Sequence, residues 1–354
     1  MDINPDRFES IFPTVLEDAL SYAKSIHTPP EALSWLRKNI THNTTSGKHL
    51  RGLLIPNTYA RTLSRPLTSP EYTLAAKLGW LVEFLQASFL VPDDIEDHDT
   101  FRRGKPSWHA IPGVGLKAIN DAALLQSIVY SLLKRYLKGK SGWYVDVVEL
   151  FQEVVFRTEL GQMVDLVSVT SRSSRGRDGK GGVHGLTKGK CETIARMKTA
   201  YYSVYAPVAV GLYLGGVATG ENLERMRGIA VRLGMYYQVQ DDYLDSFGER
   251  GRLGKEVGRD IKDGKCSWLI VEALKMVDAG QRAVLEEWYG QGEGEGVERV
   301  QGVFREVGME RAFREFEEGV IGEVRRDVEG IDESSGLRKG IFVDIIDIMY
   351  RRDK

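Results

Sequence analysis

Two short stretches of this 354-residue chain place three aspartates at the same spacing: DDIED, with Asp93, Asp94 and Asp97, and DDYLD, with Asp241, Asp242 and Asp245. On a helix the first and last aspartate of each set are i and i+4, so their carboxylates share a face about one turn apart. Like charges at that spacing weaken an isolated helix by a few tenths of a kcal/mol per pair, so the pattern implies a cation. Carboxylates without thiolate or imidazole partners choose a hard ion. Mg²⁺ takes one or two of them, keeps water, and completes its octahedron with substrate phosphate oxygens. Two such sets suggest a phosphate clamped between helices. Each set follows an apolar, aromatic-bearing run, EFLQASFLV or GMYYQVQ, that belongs in a core. The acids therefore sit at a cavity edge rather than on a solvated face. An EF-hand is excluded, because neither stretch has the alternating acids, turn glycine and terminal glutamate of that loop.

Basic residues complete the pattern. Arg102 and Arg103 follow the first set, and SGKHLRG puts Lys48 and Arg51 about one turn apart at an expected helix start, where backbone N–H groups favour anions. Lys198 and Thr199 in ARMKTAYYSVY, Lys255 in RLGKEVG and Lys265 in DGKCSW add donors. Singly, each cation reads as an ordinary surface residue. Together they imply two diphosphate sites, one bridged by metal and one held by bare cations, with Arg supplying forked donors and Lys point charges.

The elements that must position these groups read as helices. Residues 71–91, 120–137 and 142–169 carry apolar residues at helical period, strand-like alternation is scarce, and the breaks are polar or glycine-rich. The expectation is an all-α chain of about ten helices, with an Arg/Gly/Ser-rich surface loop at 171–185 and a charged amphipathic outer layer at 298–331. Apolar content of 42%, charged content of 28% and a formal net charge of -2 give no general pull toward nucleic acid or anionic membrane. The two cysteines, Cys191 and Cys266, make no disulfide framework, and no basic leader or membrane-length apolar run is evident. A cytoplasmic protein without nucleic-acid partner or membrane insertion is expected.

In order along the chain stand LQA, DDIEDHDTFRRGKPSW, GQMVDL, KTAYYSVYAP, QVQDDYLDSFG, GKEVGRDIKDGKCSW and a basic tail. This order resembles the all-trans isoprenyl diphosphate synthase family, most closely its eukaryotic farnesyl diphosphate synthases, over almost the whole chain. The resemblance implies a single polyprenyl synthase domain over 1–354: one large helical bundle of the isoprenoid synthase type I fold, around a central cavity. It also implies a homodimer, three Mg²⁺ ions per site, and head-to-tail condensation of an allylic diphosphate (dimethylallyl or geranyl) with isopentenyl diphosphate. Carried over by motif, Asp93, Asp97 and Asp241 are the direct metal ligands, with Asp94, Asp242 and Asp245 beside them in the metal clusters. Arg102, Lys198 and Lys255 are the catalytic cations on the allylic diphosphate, helped by Thr199, Gln238 and Lys265. Lys48, Arg51, Gln86 and Arg103 hold isopentenyl diphosphate, and Gln162 and Asp165 order the metal and lysine network.

Four positions depart from the family pattern. Ser46 replaces a glycine, Pro92 a small residue, and Asp353 interrupts the basic tail. Ser88, beside Phe89, replaces one ring of the aromatic pair that limits product length, so a twenty-carbon geranylgeranyl product stands beside the fifteen-carbon farnesyl one, with geranyl a third choice. A class I terpene cyclase would share the fold and one aspartate site, but it normally lacks a second DDxxD. A non-catalytic subunit is disfavoured by the six intact aspartates.

Overall fold

The computed structural model describes residues 4–169, 183–248, 257–291 and 294–350. The chain divides into two compact units. One comprises Met1–Val155, Tyr202–Gly228 and Ile331–Asp344; the other comprises Phe156–Tyr201, Ile229–Gly330 and Ile345–Lys354.

Helices α1 (Pro5–Glu9), α2 (Phe12–Ser25), α3 (Pro30–Thr44), α4 (Leu50–Leu63) and α5 (Ser69–Glu96) open the chain. Two-residue strands β1 (Phe101–Arg102) and β2 (Lys105–Pro106) pair antiparallel, and α6 (Lys117–Leu137) and α7 (Tyr144–Ser168) follow. α8 (Lys188–Ile194) runs into a π-helix over Ala195–Tyr205, then α9 (Ala206–Leu214) and α10 (Gly220–Phe247). The remainder is α11 (Arg259–Asp263), α12 (Trp268–Met276), α13 (Ala279–Trp288), α14 (Glu295–Glu306), α15 (Met309–Glu329) and α16 (Lys339–Met349). The protein is therefore all-α, as its periodicity implies. The short helices and 3₁₀ turns between the longer segments are additional to those read from the sequence.

α5 is the core helix of the first unit. Thr68 and Glu71 form a capping box at its start, satisfying amides that the helix leaves unpaired. Leu81 through Ser88 are all buried. α5 is also long and apolar enough to cross a membrane, contrary to the expectation of no such run, yet most of it is buried inside the protein. Pro92 lies within the helix. α4 crosses α5 at backbone contact: a Cβ added at Gly52 would lie 2.9 Å from the Gly79 carbonyl oxygen and 2.6 Å from the Phe8 ring. Only glycines allow that approach, and it sets Arg51 against the face of α5 that carries Glu83 and Gln86.

In the second unit, Leu269, Ile270, Leu285, Val300, Phe304 and Met309 form a core shared by α12–α15, joined by Cys191 and Ile194 of α8. The expected loop at 171–185 lies outside the described residues except for Val183–Gly185, a 3₁₀ turn with Val183 buried.

Candidate functional site

Both aspartate sets occupy the C-terminal ends of long helices, Asp93–Asp97 on α5 and Asp241–Asp245 on α10. The helix dipole is negative there, so carboxylates are disfavoured unless a cation is near. In the first unit Arg102 answers part of this demand. Its Nη2 donates to Asp93 Oδ2 at 3.0 Å and its Nε to Asp94 Oδ1 at 2.5 Å. Burial works against its charge, but Asp93, Asp94 and Asp99 together hold the guanidinium above its ordinary pKa. The carboxyl of Asp94 is buried and pushed up to about 6, chiefly by desolvation, with Arg102 pulling the other way. Asp97 is the C-cap and half-buried.

The β1–β2 hairpin aims Arg102 and Arg103 apart. Arg102 pairs with Lys105, so Arg103 and Gly104 form a two-residue turn with φ of 53° and 73°. Positive φ at both central positions matches the twist of the strands, at some steric cost for the arginine. Arg103 Nη1 donates to the carbonyl of Ser46. The neighbouring Gly47, at φ 109°, leaves room: a Cβ there would lie 2.9 Å from the Arg103 guanidinium.

Arg51 joins this second cluster from the first turn of α4. Its Nε donates to Ser203 Oγ at 2.9 Å and its Nη2 to the Tyr202 hydroxyl at 3.2 Å. With the Gln86 amide assigned the orientation that turns its oxygen to the donors around it, it accepts from Arg51 Nη1 at 3.0 Å and from Arg103 Nη2 at 3.2 Å. Thus Ser46, Arg51, Gln86 and Arg103 converge, with Lys48 exposed in the adjoining turn. In the first turn of α4 the Gly52 amide is taken by a protein carboxylate, donating to Glu83 Oε1 at 2.8 Å. Ser88 is buried and donates to the Leu85 carbonyl at 2.7 Å, while the Phe89 ring meets Tyr202 edge-on at 5.5 Å.

In the second unit Asp165 of α7 gathers two lysines on one oxygen, Lys198 Nζ at 2.6 Å and Lys265 Nζ at 3.3 Å. Thr199 donates to Gln238 Oε1 at 2.5 Å, and Gln238 Nε2 donates to Asp242 Oδ1 at 2.9 Å. The other oxygen of Asp242 accepts from Trp268 N at 2.8 Å. Burial pushes this carboxyl up to about 7, and Asp241 and Asp165 nearby push the same way. Asp245 accepts from Asp260 N at 3.0 Å, and Asp241 is half-buried on α10. Lys255 and Asp353 lie outside the described residues.

The π-helix that carries Lys198 and Thr199 went unread in the sequence, as did the hairpin, Glu83, and the Ser203 and Tyr202 contacts to Arg51. The Arg-Gly pair at 103–104 was a usable turn signal. The spacing of Glu83 and Gln86, three apart on one helix face, was another.

Among the described residues, no three of His, Cys, Asp and Glu are grouped to hold a metal by themselves. That suits a hard ion which takes part of its coordination from a bound phosphate. Asp93, Asp94, Asp242 and Asp245 accept hydrogen bonds from protein groups, and all six aspartates are oxygen donors of the kind Mg²⁺ takes.

The family model described as Polyprenyl synthetase matches residues 33–307. The chain is 42% identical over 348 residues to the farnesyl pyrophosphate synthase of Schizosaccharomyces pombe, covering 98% of each. It is 36% identical over 348 residues to that organism's geranylgeranyl pyrophosphate synthase, covering 98% of this chain and 96% of the relative. A solved structure of T. brucei farnesyl diphosphate synthase complexed with bisphosphonate superimposes with a TM-score of 0.89 at 29% identity, covering 99% of each chain.

Proposed function

This chain belongs to the polyprenyl synthetase family, and on that premise we propose that it is a Mg²⁺-dependent prenyltransferase joining dimethylallyl or geranyl diphosphate head-to-tail to isopentenyl diphosphate, with farnesyl diphosphate as product. The observation that carries the reading is the divergence of two adjacent arginines. Arg102 turns to Asp93 and Asp94, while Arg103 turns to Ser46 and Gln86 and meets Arg51 there. One set suits a metal-bridged diphosphate and the other a diphosphate held by bare cations, as a two-substrate condensation requires. The family match runs through residues of both units, which supports one catalytic domain.

In this reading Asp93, Asp97 and Asp241 hold Mg²⁺, three ions per site, with Asp94, Asp242 and Asp245 fixed beside them. The ions, when bound, supply positive charge to the leaving diphosphate. Arg102, Lys198, Lys255 and Lys265 add theirs as the allylic C–O bond ionises, with Thr199 and Gln238 positioning the group. Lys48, Arg51, Gln86 and Arg103 hold isopentenyl diphosphate while its double bond attacks the allylic carbon. The released diphosphate accepts the proton then lost, so no protein base is required. We place the enzyme in the cytoplasm as a homodimer.

Ser88 favours a second reading, a geranylgeranyl product, because a small buried side chain stands where the family has a ring. One experiment serves both. The purified chain is incubated with dimethylallyl and isopentenyl diphosphates and Mg²⁺, and the dephosphorylated products are sized. A fifteen-carbon alcohol, abolished by EDTA, is expected; a product formed from the allylic substrate alone would mean a cyclase. Twenty-carbon products that shorten in Ser88→Phe would establish the second reading.

A further inference from the structure

Beneath the Arg51–Gln86–Arg103 cluster lies a carboxylate to which the reading above gives no duty. Glu83 is 4% exposed, one turn before Gln86 on the same face of α5. Its Oε1 accepts from Gly52 N at 2.8 Å, and its Oε2 lies 3.2 Å from the Gln86 side-chain nitrogen when that amide is assigned the orientation that matches donors to acceptors at both ends. The first contact exists because position 52 is glycine. A Cβ there would already lie 3.1 Å from Glu83 Cγ, and the bare backbone lets α4 come close enough for its amide to reach the carboxylate.

We propose that Glu83 is a positioning residue of the isopentenyl diphosphate site: its carboxylate fixes the orientation of the Gln86 amide, and through it the guanidinium groups of Arg51 and Arg103. An ionised carboxylate only accepts hydrogen bonds, so it selects the NH₂ end of Gln86. The amide oxygen is then left to the arginines, and each of them donates to it. Were the amide reversed, its NH₂ would face two guanidinium donors and neither arginine would be fixed. Glu83 also supplies counter-charge. Arg103, although exposed as a residue, is held below its ordinary pKa first by desolvation and then by Arg51 and Arg102, while Glu83 acts in the opposite direction. The same carboxylate thus joins the first turn of α4 to α5 and sets the spacing of two cations that come from different elements.

This inference rests on the two-substrate reading, and its test separates the two. Steady-state kinetics are measured for the wild-type chain, Glu83→Gln and Gln86→Leu, varying each diphosphate in turn, with melting temperatures taken in parallel. Glu83→Gln keeps the shape but offers a mixed amide. The loss of a charged hydrogen-bond partner is expected to raise KM for isopentenyl diphosphate about tenfold, with the allylic KM changed less than about twofold. Because Glu83 acts through Gln86, adding Glu83→Gln to Gln86→Leu is expected to cause little further rise. Equal rises in both KM values, or an unchanged isopentenyl KM, would overturn the proposal. If Glu83→Gln fails to fold, Glu83→Asp decides it: the charge is kept but drawn back by one methylene from Gln86, and the same selective rise in the isopentenyl KM, or its absence, supports or overturns the proposal. A wild-type chain with no condensation activity would instead sink the underlying function.

Discussion

The two carboxylate oxygens of Asp242 are engaged by Gln238 Nε2 and the Trp268 amide, and the group is buried. Neighbouring Asp241 is half-buried and carries the proposed metal contact. Successive residues on a helix point about 100° apart, so the i, i+4 rule puts Asp241 and Asp245 on one face and turns Asp242 away from it. Spacing alone therefore finds the six aspartates but not their partners, because Trp268 lies 26 residues away and is brought in by tertiary packing. The buried position makes a pH prediction. Burial raises the folded pKa of Asp242 from 3.8 to about 7, so its contribution to stability is present below the unfolded pKa and lost as pH climbs through the folded one. At ~1.4 kcal/mol per unit, the penalty accrued between pH 4 and 8 is on the order of a few kcal/mol. In EDTA, the melting temperature of Asp242→Asn relative to wild type should rise with pH across that window, on top of a pH-independent loss from setting the new NH₂ against one of two donors. A difference in melting temperature that stays flat with pH would show that burial does not set this group's titration.

At the scale of elements, the π-helix over Ala195–Tyr205 places Lys198 and Thr199, and α7 determines where it lies. A Cβ at Gly161 would fall 2.2 Å from Lys198 N and 2.6 Å from its Cα, against backbone that cannot swing aside. Gly161→Ala must then shift the segment carrying both Asp165-paired Lys198 and Gln238-paired Thr199. Overpacking of this kind costs ~1–3 kcal/mol, and displacement of a substrate-positioning group by an ångström can cost up to about a hundredfold in rate. Both a lower melting temperature and at least tenfold lower kcat are expected. The control is Gly228→Ala on α10, where no atom lies within 4 Å of the new Cβ. There the exposed helix should gain up to ~1 kcal/mol with kcat unchanged. If Gly161→Ala matches wild type in both measurements, the backbone contact does not position the site. None of this was legible in KTAYYSVY, which reads equally well at α period. The i→i+5 pattern carries no local sequence mark, and the role of Gly161 appears only once Lys198 lies against it. The hairpin was half-legible: Arg103-Gly104 is a two-residue turn, but an arginine at positive φ is unusual enough to hide it.

For the whole molecule, the all-α class was readable because apolar period survives over segments as long as α5, α6 and α7. The two-unit organisation was not, since each unit gathers three separate stretches of chain and periodicity does not say which helices cluster. Periodicity also leaves unexplained an apolar stripe on α7 within the second unit. Phe156, Met163 and Val167, spaced seven and four residues apart, are 62%, 51% and 74% exposed. Single exposed hydrophobics are ordinary, but several large ones on one helix face mark a surface that something covers. The proposed occupant is a second copy of this chain, consistent with the homodimer implied by family resemblance. Sedimentation at micromolar concentration should give twice the chain mass. Phe156→Glu combined with Val167→Glu should give the single-chain mass, because two like charges would face their symmetry copies across a desolvated surface. As both side chains already meet solvent in the isolated chain, helix content should be retained. A wild-type chain that sediments as a monomer, or a double variant that stays dimeric, would move the interface elsewhere or abolish it.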